Sequence, residues 1–257
     1  MKCPICGGDS ITFGRVGTTP ILECVEDDCR FRFFDLVQWR SPYLQDDYYA
    51  AWSPMTVAYS APWIRARVSI IQRFKCEGSV ADLGCGIGET AIALKKAGYD
   101  VVGVEESERA INYLKNEYPD VDWRKANLTE FLSNAEKKYD VISMFHVLEH
   151  IPYPNRVIDL VDKSLAHDGL IAIEVPDARG GRARLMGGKW DYYIDHHVNY
   201  FDTRSLTKLL HPFGYQMKYC QKTYHFSYPQ GDFVKDVIKG ALARLGLNSI
   251  IRTIWQR

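Results

Sequence analysis

The sequence predicts an α/β fold built on a mostly parallel sheet, and three observations carry that prediction. From Ser79 onward, short apolar runs alternate with helix-length segments. The runs are apolar enough to be buried on both faces, as parallel strands are when helices cover each side of the sheet. A glycine-rich turn, Asp82-Leu83-Gly84-Cys85-Gly86-Ile87-Gly88-Glu89, follows the first run, where a strand hands over to a helix. Ahead of all this stand two close pairs of cysteines, which predict a small module of their own.

Length and charge set the bounds. A chain of 257 residues makes one or two domains, and 46% hydrophobic content is enough for a substantial core. Thirty-two basic groups balance 32 acidic ones, which argues against a dedicated nucleic-acid binder. No apolar run approaches the ~18 residues of a membrane span. The first residues, MKCPICGGDS, contain no signal-peptide stretch. The expectation is a soluble, cytoplasmic protein.

The cysteine pairs are Cys3-x2-Cys6 and Cys24-x4-Cys29. Two such knuckles, separated by a strand-and-turn length of chain, read as four thiolate ligands of a tetrahedral Zn2+. Four protein ligands leave no open position, so that zinc would be structural, in a ribbon over residues 1–35. Paired redox thiols or a chance cluster are the alternatives.

An aromatic segment follows from Leu36 to Trp63, holding Trp39, Tyr43, Tyr48, Tyr49, Trp52 and Tyr59 and broken by Pro42 and Pro54. It is expected to serve as a lid, or else to pack the ribbon onto the sheet. Ile64 to Phe74 reads as a helix with Ile64, Val68 and Ile71 on one face. Arg65 and Arg67 lie on it, either solvated or turned towards a ligand carboxylate.

Strands are expected at Val80–Leu83, Val101–Val104, Val141–Met144 and Leu170–Val175, with a weaker one at Val121–Arg124. Helices are expected at Thr90–Ala97, Glu108–Tyr118, Leu128–Glu136 and Asn155–Leu165, with Gly98 and Gly169 just beyond two helix ends. A helix at Ser205–His211 and strands at Tyr215–Gln221 and Tyr224–Tyr228 would finish the sheet.

In the glycine-rich turn, the dinucleotide pattern G-x-G-x-x-G would want a third glycine where Glu89 stands. An acid there repels a pyrophosphate, so the ligand is expected to be cationic, or at least not a diphosphate. Glu105 ends the second strand, where a carboxylate can accept both hydroxyl protons of a ribose.

The series DLGCGIGE, VVGVEES, YDVISMFHVLEHI and GLIAIEVPD resembles the class I S-adenosylmethionine-dependent methyltransferases. The resemblance covers about Ser79 to Tyr215. It is greatest to the branch with quinone-biosynthesis O-methyltransferases and bacterial surface-saccharide methyltransferases, whose saccharide-type members also share a zinc-ribbon start and a His-x-x-Tyr-Phe segment. It implies a Rossmann-like, seven-stranded, mostly parallel sheet and S-adenosylmethionine as cofactor. By position it implies that Gly84, Gly86 and Gly88 border the methionine part, that Asp82 anchors the loop and the amino end, and that Glu105 holds the ribose. Asn127 stands where many relatives have the Asp that meets the adenine amino group, and Phe145 would lie against the adenine or the sulfonium.

His146-Val147-Leu148-Glu149-His150 follows the fourth strand. On a helical turn His146, Glu149 and His150 would share a face. That face has three readings: a general base, a divalent-metal site (quinone-type and small-RNA relatives carry Glu-x-x-Glu-His) or plain mutual hydrogen bonding. His197 matches the histidine of His-x-x-Tyr-Phe and is expected as base or acceptor anchor, with His196 second. Arg179, Arg182, Arg184 and Lys189 form a basic, Gly-rich loop that would welcome a phosphorylated acceptor or else sit solvated.

The tail from Phe233 to Trp255 has apolar residues at helical spacing, with Lys235, Lys239, Arg244 and Arg252 on its polar side. An amphipathic helix over residues 231–257 would dock on the domain, on a second copy in a homodimer, or peripherally on a membrane. The expected organisation is therefore a ribbon (1–35), an aromatic lid and helix (36–75), a methyltransferase domain (76–230) and this last helix. The expected activity is O-methylation of a saccharide or related small molecule. C-methylation of a nucleotide-linked sugar or quinol is the second reading, and a non-catalytic module binding RNA or protein the third.

Overall fold

The computed structural model describes residues 1–36, 61–224, 241, 247 and 249–257. Most of the aromatic lid segment, the strand expected after Tyr224 and most of the expected tail helix lie outside the described residues.

The described elements run β1 (Ser10–Val16), β2 (Thr19–Cys24), β3 (Arg32–Phe34), α1 (Pro62–Phe74), β4 (Ser79–Leu83), α2 (Glu89–Lys96), β5 (Asp100–Glu105), α3 (Glu108–Glu117), β6 (Asp122–Lys125) and α4 (Leu128–Ser133). Then come β7 (Tyr139–Phe145), a 3-10 turn (Leu148–His150), α5 (Pro154–Ser164), β8 (Leu165–Pro176), α6 (Gly181–Met186), β9 (Asn199–Tyr200), α7 (Thr203–Leu210), β10 (Gln216–Thr223) and β11 (Ile250–Gln256). One sheet has the order β10-β11-β8-β7-β4-β5-β6, and a second has β1-β2-β3-β9. In the larger sheet β4 pairs in parallel with β5 and β7, and β5 with β6. The α/β sheet of seven mostly parallel strands is thus as expected. Among the described residues no helix is long and apolar enough to cross a membrane.

The chain divides into two compact units. One takes the described residues of Pro42–Val147, Arg156–Ile173 and Ile254–Arg257. In it, Pro62 opens α1 at a position where its missing N–H costs nothing; Ile64, Val68 and Ile71, the face that the spacing predicts, are buried, and Ile70 is buried beside them. The chain moves outward from β4 to β5 to β6 and then returns to place β7 on the other side of β4. That reversal leaves a crevice beyond the carboxyl ends of β4 and β7, the usual ligand position in such sheets. Gly103 is required within β5: a Cβ there would sit 2.4 Å from the Trp123 ring.

The other unit takes the described residues of Met1–Ser41, Leu148–Asn155 and Glu174–Thr253. The expected ribbon does not stand alone in it. Its strands β1, β2 and β3 pair antiparallel, and β9 adds to the open edge of β3, with Arg32 opposite Tyr200 and Phe33 opposite Asn199. A piece of this length cannot bury much surface by itself. Ile21 and Phe34 from the ribbon instead share a core with Ala178, Ala183, Trp190, Val198 and Tyr200. Around it, buried Glu23 meets Arg32 at 2.6 Å, Arg30 at 3.2 Å and Arg179 at 3.6 Å.

Three expectations need correcting. Residues 250–256 form strand β11 and not the end of a helix, because Ile250-Ile251-Arg252-Thr253-Ile254 is rich in β-branched residues that suit a pleated, buried surface. Arg252, placed on the polar side of that helix, is buried and ion-paired with buried Glu174 of β8. The loop expected at residues 179–189 contains helix α6.

Candidate functional site

In the first of these units the glycine-rich turn joins β4 to α2. Gly84, Gly86 and Gly88 all have positive φ, at 64°, 57° and 79°. Their surroundings differ. A Cβ on Gly84 would lie 2.7 Å from Val147, and one on Gly88 would lie 2.6 Å from Trp123 and 2.7 Å from Leu114. At Gly86 a Cβ would meet no atom of the described residues within 4 Å. Gly84 and Gly88 are therefore glycines because the protein packs against them, whereas Gly86 leaves its space open to a ligand.

Glu105 closes β5 beside that space. It is buried, and its Oε2 accepts the Gly86 N–H at 3.0 Å. Its Oε1 accepts the N–H groups of Glu106 (2.8 Å) and Ser107 (2.9 Å). A carboxylate offers about four acceptor positions, so three are in use and Oε2 retains capacity towards the open side. The backbone bonds fix the carboxylate's direction, which suits a group meant to meet a diol.

Asp82 is buried near the end of β4. Its Oδ1 accepts the Ser143 hydroxyl at 2.6 Å, across the register pair Asp82–Ser143 of β4 and β7. Burial pushes the Asp82 carboxyl up to about 6, against the opposing pull of the Ser143 hydroxyl, the Arg67 charge and the Ala91 N–H. Ser143 was not singled out from the sequence. The available signal was a hydroxyl inside the apolar run Val141–Phe145, where a buried polar group needs a partner. The Cys85 thiol is held well above its usual value by burial and by the charges of Asp82 and Glu105, so it is an inert, neutral lining group.

Arg67 of α1 donates to the Thr90 hydroxyl at 3.1 Å, and its guanidinium lies 4.6 Å from the centre of the Phe145 ring. Phe145 thus has a cation on one face already. Arg65 is exposed on the same helix. Asn127 is the N-cap of α4: its Oδ1 accepts the Thr129 N–H at 2.9 Å and the Thr129 hydroxyl at 2.5 Å. The acceptor oxygen expected to meet an adenine amino group is thus occupied by the cap, which leaves the amide N–H2 as the group Asn127 can offer a base.

In the other unit, Glu149, His150 and His197 bring one ligand atom each to within 4.8 Å of one another. His146 is not among them. Its φ of 59° turns the chain before the single 3-10 turn at Leu148–His150, so residues 146, 149 and 150 never share a helical face. His197, distant in sequence, takes the place expected for His146. His150 Nδ1 lies 2.8 Å from the His196 carbonyl and His197 Nδ1 lies 3.1 Å from the Tyr192 carbonyl. Each Nδ1 therefore carries the proton that it donates, and a neutral imidazole held in this way has Nε2 as its acceptor nitrogen. The Tyr192 ring stacks on His197 at 5.9 Å and 12°, and the His150 and His197 rings meet edge-on at 4.8 Å.

His196 stacks on His150 at 5.6 Å and turns its own Nδ1 to Asp195. Of the four basic residues expected to attract a phosphate, two are compensated: Arg179 pairs with Asp202 at 3.0 Å and Arg182 with Asp191 at 2.7 Å.

The four cysteines also converge, with ligand atoms within 4.8 Å of one another. The Sγ atoms of Cys3 and Cys29 are 3.8 Å apart and those of Cys6 and Cys24 are 3.5 Å apart. These are not disulfide distances. They match the roughly 3.8 Å edge of a tetrahedron with 2.3 Å metal–sulfur bonds. Burial pushes the Cys24 thiol up to about 12, and the neighbouring Cys3 thiol and burial push Cys29 up further. These two buried sulfurs resist ionising unless a cation compensates them.

Comparison with known proteins places the fold. A probable S-adenosylmethionine-dependent methyltransferase of Mycolicibacterium smegmatis is 25% identical over 166 residues, which make up 63% of each chain. A ubiquinone biosynthesis O-methyltransferase of Actinobacillus pleuropneumoniae is 29% identical over 100 residues, 36% of this chain and 43% of that protein. The chain thus spans less than two thirds of these relatives. Among solved structures, an S-adenosylmethionine-dependent methyltransferase from Archaeoglobus fulgidus superposes with a TM-score of 0.57 at 20% identity, covering 82% of this chain and all of the other. Residues 58–219 match the model of the methyltransferase domain. With well over half its length in that match, and the glycine turn and its acidic partner inside it, the chain belongs to the methyltransferase domain family.

Proposed function

We propose that the protein transfers a methyl group from S-adenosylmethionine to an oxygen of a small-molecule acceptor, a saccharide or related metabolite. One observation carries the reading: the open space at Gly86 with the oriented Glu105 carboxylate beside it. A side chain on Gly86 would fill that cradle, and no described residue reaches within 4 Å of where its Cβ would sit. The buried acids and the absence of a pyrophosphate-type third glycine suit a cationic nucleoside. Glu105 would take the ribose hydroxyls, Asp82 the amino end and Arg67 the carboxylate of the methionine part. Asn127 would offer its amide to the adenine. When bound, S-adenosylmethionine supplies an electrophilic methyl group whose transfer turns a sulfonium into a neutral thioether.

The protein's own work is alignment, exclusion of water and removal of a proton from the acceptor hydroxyl. His197 is the first candidate for that base, with its Nδ1–H held by the Tyr192 carbonyl, so that Nε2 is the nitrogen that would take the proton. His150 has the same polarity. A second reading of the cluster rests on its composition: Glu149, His150 and His197 offer one oxygen and two nitrogens, a donor set that suits a divalent cation able to lower a hydroxyl's pKa. The four cysteines would hold a structural Zn2+.

Incubating the protein with methyl-labelled S-adenosylmethionine and a panel of saccharides, nucleotide-linked sugars and catechols, with mass spectrometry of the products, tests the reading. An O-methylated saccharide supports it. Methylation at carbon, or of a catechol alone, would replace the acceptor class. Activity that appears only with added Mg2+ or Mn2+ selects the metal reading over the free base.

A further inference from the structure

The convergence of Glu149, His150 and His197 needs an explanation, because they come from two stretches of chain almost fifty residues apart. The stretches are tied by four hydrogen bonds. The Val198 N–H donates to the Glu149 carbonyl at 2.8 Å, and His150 Nδ1 donates to the His196 carbonyl at 2.8 Å. The other two come from one side chain: Asn199 Nδ2 donates to the Leu148 carbonyl at 3.3 Å and to the Ile151 carbonyl at 2.5 Å. Asn199 is 1% exposed. Its two amide hydrogens therefore bracket the 3-10 turn that carries Glu149 and His150.

Asn199 also belongs to the cysteine-bearing sheet. It pairs with Phe33 of β3, and the Phe34 N–H donates to the Val198 carbonyl. Strand β9 has only two residues, too few to be held by its own ladder. One edge of it is fixed by the ribbon and the Asn199 side chain fixes the turn. We infer that Asn199 is a positioning residue for the acceptor cluster: its amide sets the place of Glu149 and His150 relative to His197, with the β1-β2-β3-β9 sheet as the base from which it does so. The inference rests on the reading of that cluster as the acceptor-activating site. It assigns the ribbon a part in catalysis, because the strand that follows His197 is a strand of the ribbon's sheet.

The geometry gives this role a signature that general damage would not produce. His150 takes its carbonyl partner from the other stretch, at His196, whereas His197 takes its partner from its own loop, at Tyr192. Removing the Asn199 amide should therefore free the tautomer of His150 and leave that of His197 unchanged. The test is nitrogen-15 NMR of the imidazoles in the full-length protein, with calorimetric titration of S-adenosylhomocysteine as a check on the donor unit. In Asn199→Ala the expected result is a tautomer mixture at His150, a single Nδ1-protonated form at His197 and donor affinity within about twofold of wild type. Turnover should fall on the order of 10²-fold with little change in KM, as for a misplaced catalytic group.

If Asn199→Ala is recovered unfolded, the isosteric Asn199→Asp serves instead, because its oxygens face two carbonyls without the paired donors; the same His150 signature is expected. Unchanged tautomers at both histidines in a folded variant would overturn the inference. So would loss of both together, which is plain collapse. Failure of the acceptor-site reading is a separate outcome: there, His197→Ala and His150→Ala would retain full turnover.

Discussion

The Glu105 carboxylate at the end of β5 accepts the Gly86 N–H at 3.0 Å, so the acid expected to bind a ribose also holds the one glycine of the turn whose side-chain space is open. The two strand ends are thereby tied together, and in the proposed site they would be set before the ligand arrives. Less ordering is then left for binding to impose.

The glycines should separate by mutation. Gly88→Ala places a Cβ against Trp123 and Leu114 at positive φ, and should cost about 2–5 kcal/mol of stability. Gly86→Ala meets no atom of the described residues and carries backbone strain of about 1–2 kcal/mol, but it fills the cradle. Chemical denaturation and donor titration of both variants check this. Gly88→Ala should lose mainly stability and Gly86→Ala mainly donor affinity, and the reverse pattern would remove the assignment of Gly86.

Asp82 gives a pH dependence of definite sign. Its folded-state carboxyl titrates at about 6 against an ordinary 3.8, because burial disfavours the charge. The folded state therefore holds this proton more tightly than the unfolded chain. Stability from this group is fully present below about pH 4 and is lost as pH rises towards 6. The loss is about 3 kcal/mol for a shift of roughly two units. Asp82→Asn should remove that component, so the wild-type-minus-variant stability difference measured by denaturation should fall between pH 4 and 6. A difference that is flat across this window, or rising, contradicts the burial effect.

The cysteine cluster should carry metal. Cys6→Ser removes one of four sulfurs, and elemental analysis of the purified variant should show less than stoichiometric zinc, against one equivalent in wild type. Thermal stability should fall with it, since such sites contribute roughly 10–16 kcal/mol to folding of their modules. Wild-type protein without zinc, or a variant that retains it, would dismiss the site.

His197→Ala should lower turnover about 10²–10⁴-fold, the range of a general base, while donor affinity is unchanged. Product formation by mass spectrometry, beside a donor titration, provides the check. Full turnover in the variant discards His197 as base.

The glycine turn and its acidic neighbours are legible in the sequence because their signals are local. Asp82, the three glycines and Glu105 fall at the ends of two adjacent parallel strands, and the apolar runs locate those strands within a residue or two. Ser143 was hidden only because nothing in a single strand says which partner's register it will meet. The Glu149–His150–His197 cluster depends on distant pairings. A two-residue strand such as β9 leaves no periodicity, and the positive φ at His146 that spoils the expected helical face has no marker beyond the tolerance of histidine for that region. At the C-terminal end, helical spacing read from Phe233 ran on into Ile250–Gln256, where the β-branched run was the stronger signal.

A calorimetric titration of S-adenosylmethionine into the wild-type protein and into Glu105→Ala is the shortest route to a decision. Saturable one-to-one binding should weaken about 10- to 100-fold in the variant, the equivalent of a lost hydrogen-bonded charge worth about 1.5–3 kcal/mol. No binding to wild type, or equal affinity in both proteins, would mean that the Gly86–Glu105 crevice is not where the methyl donor sits.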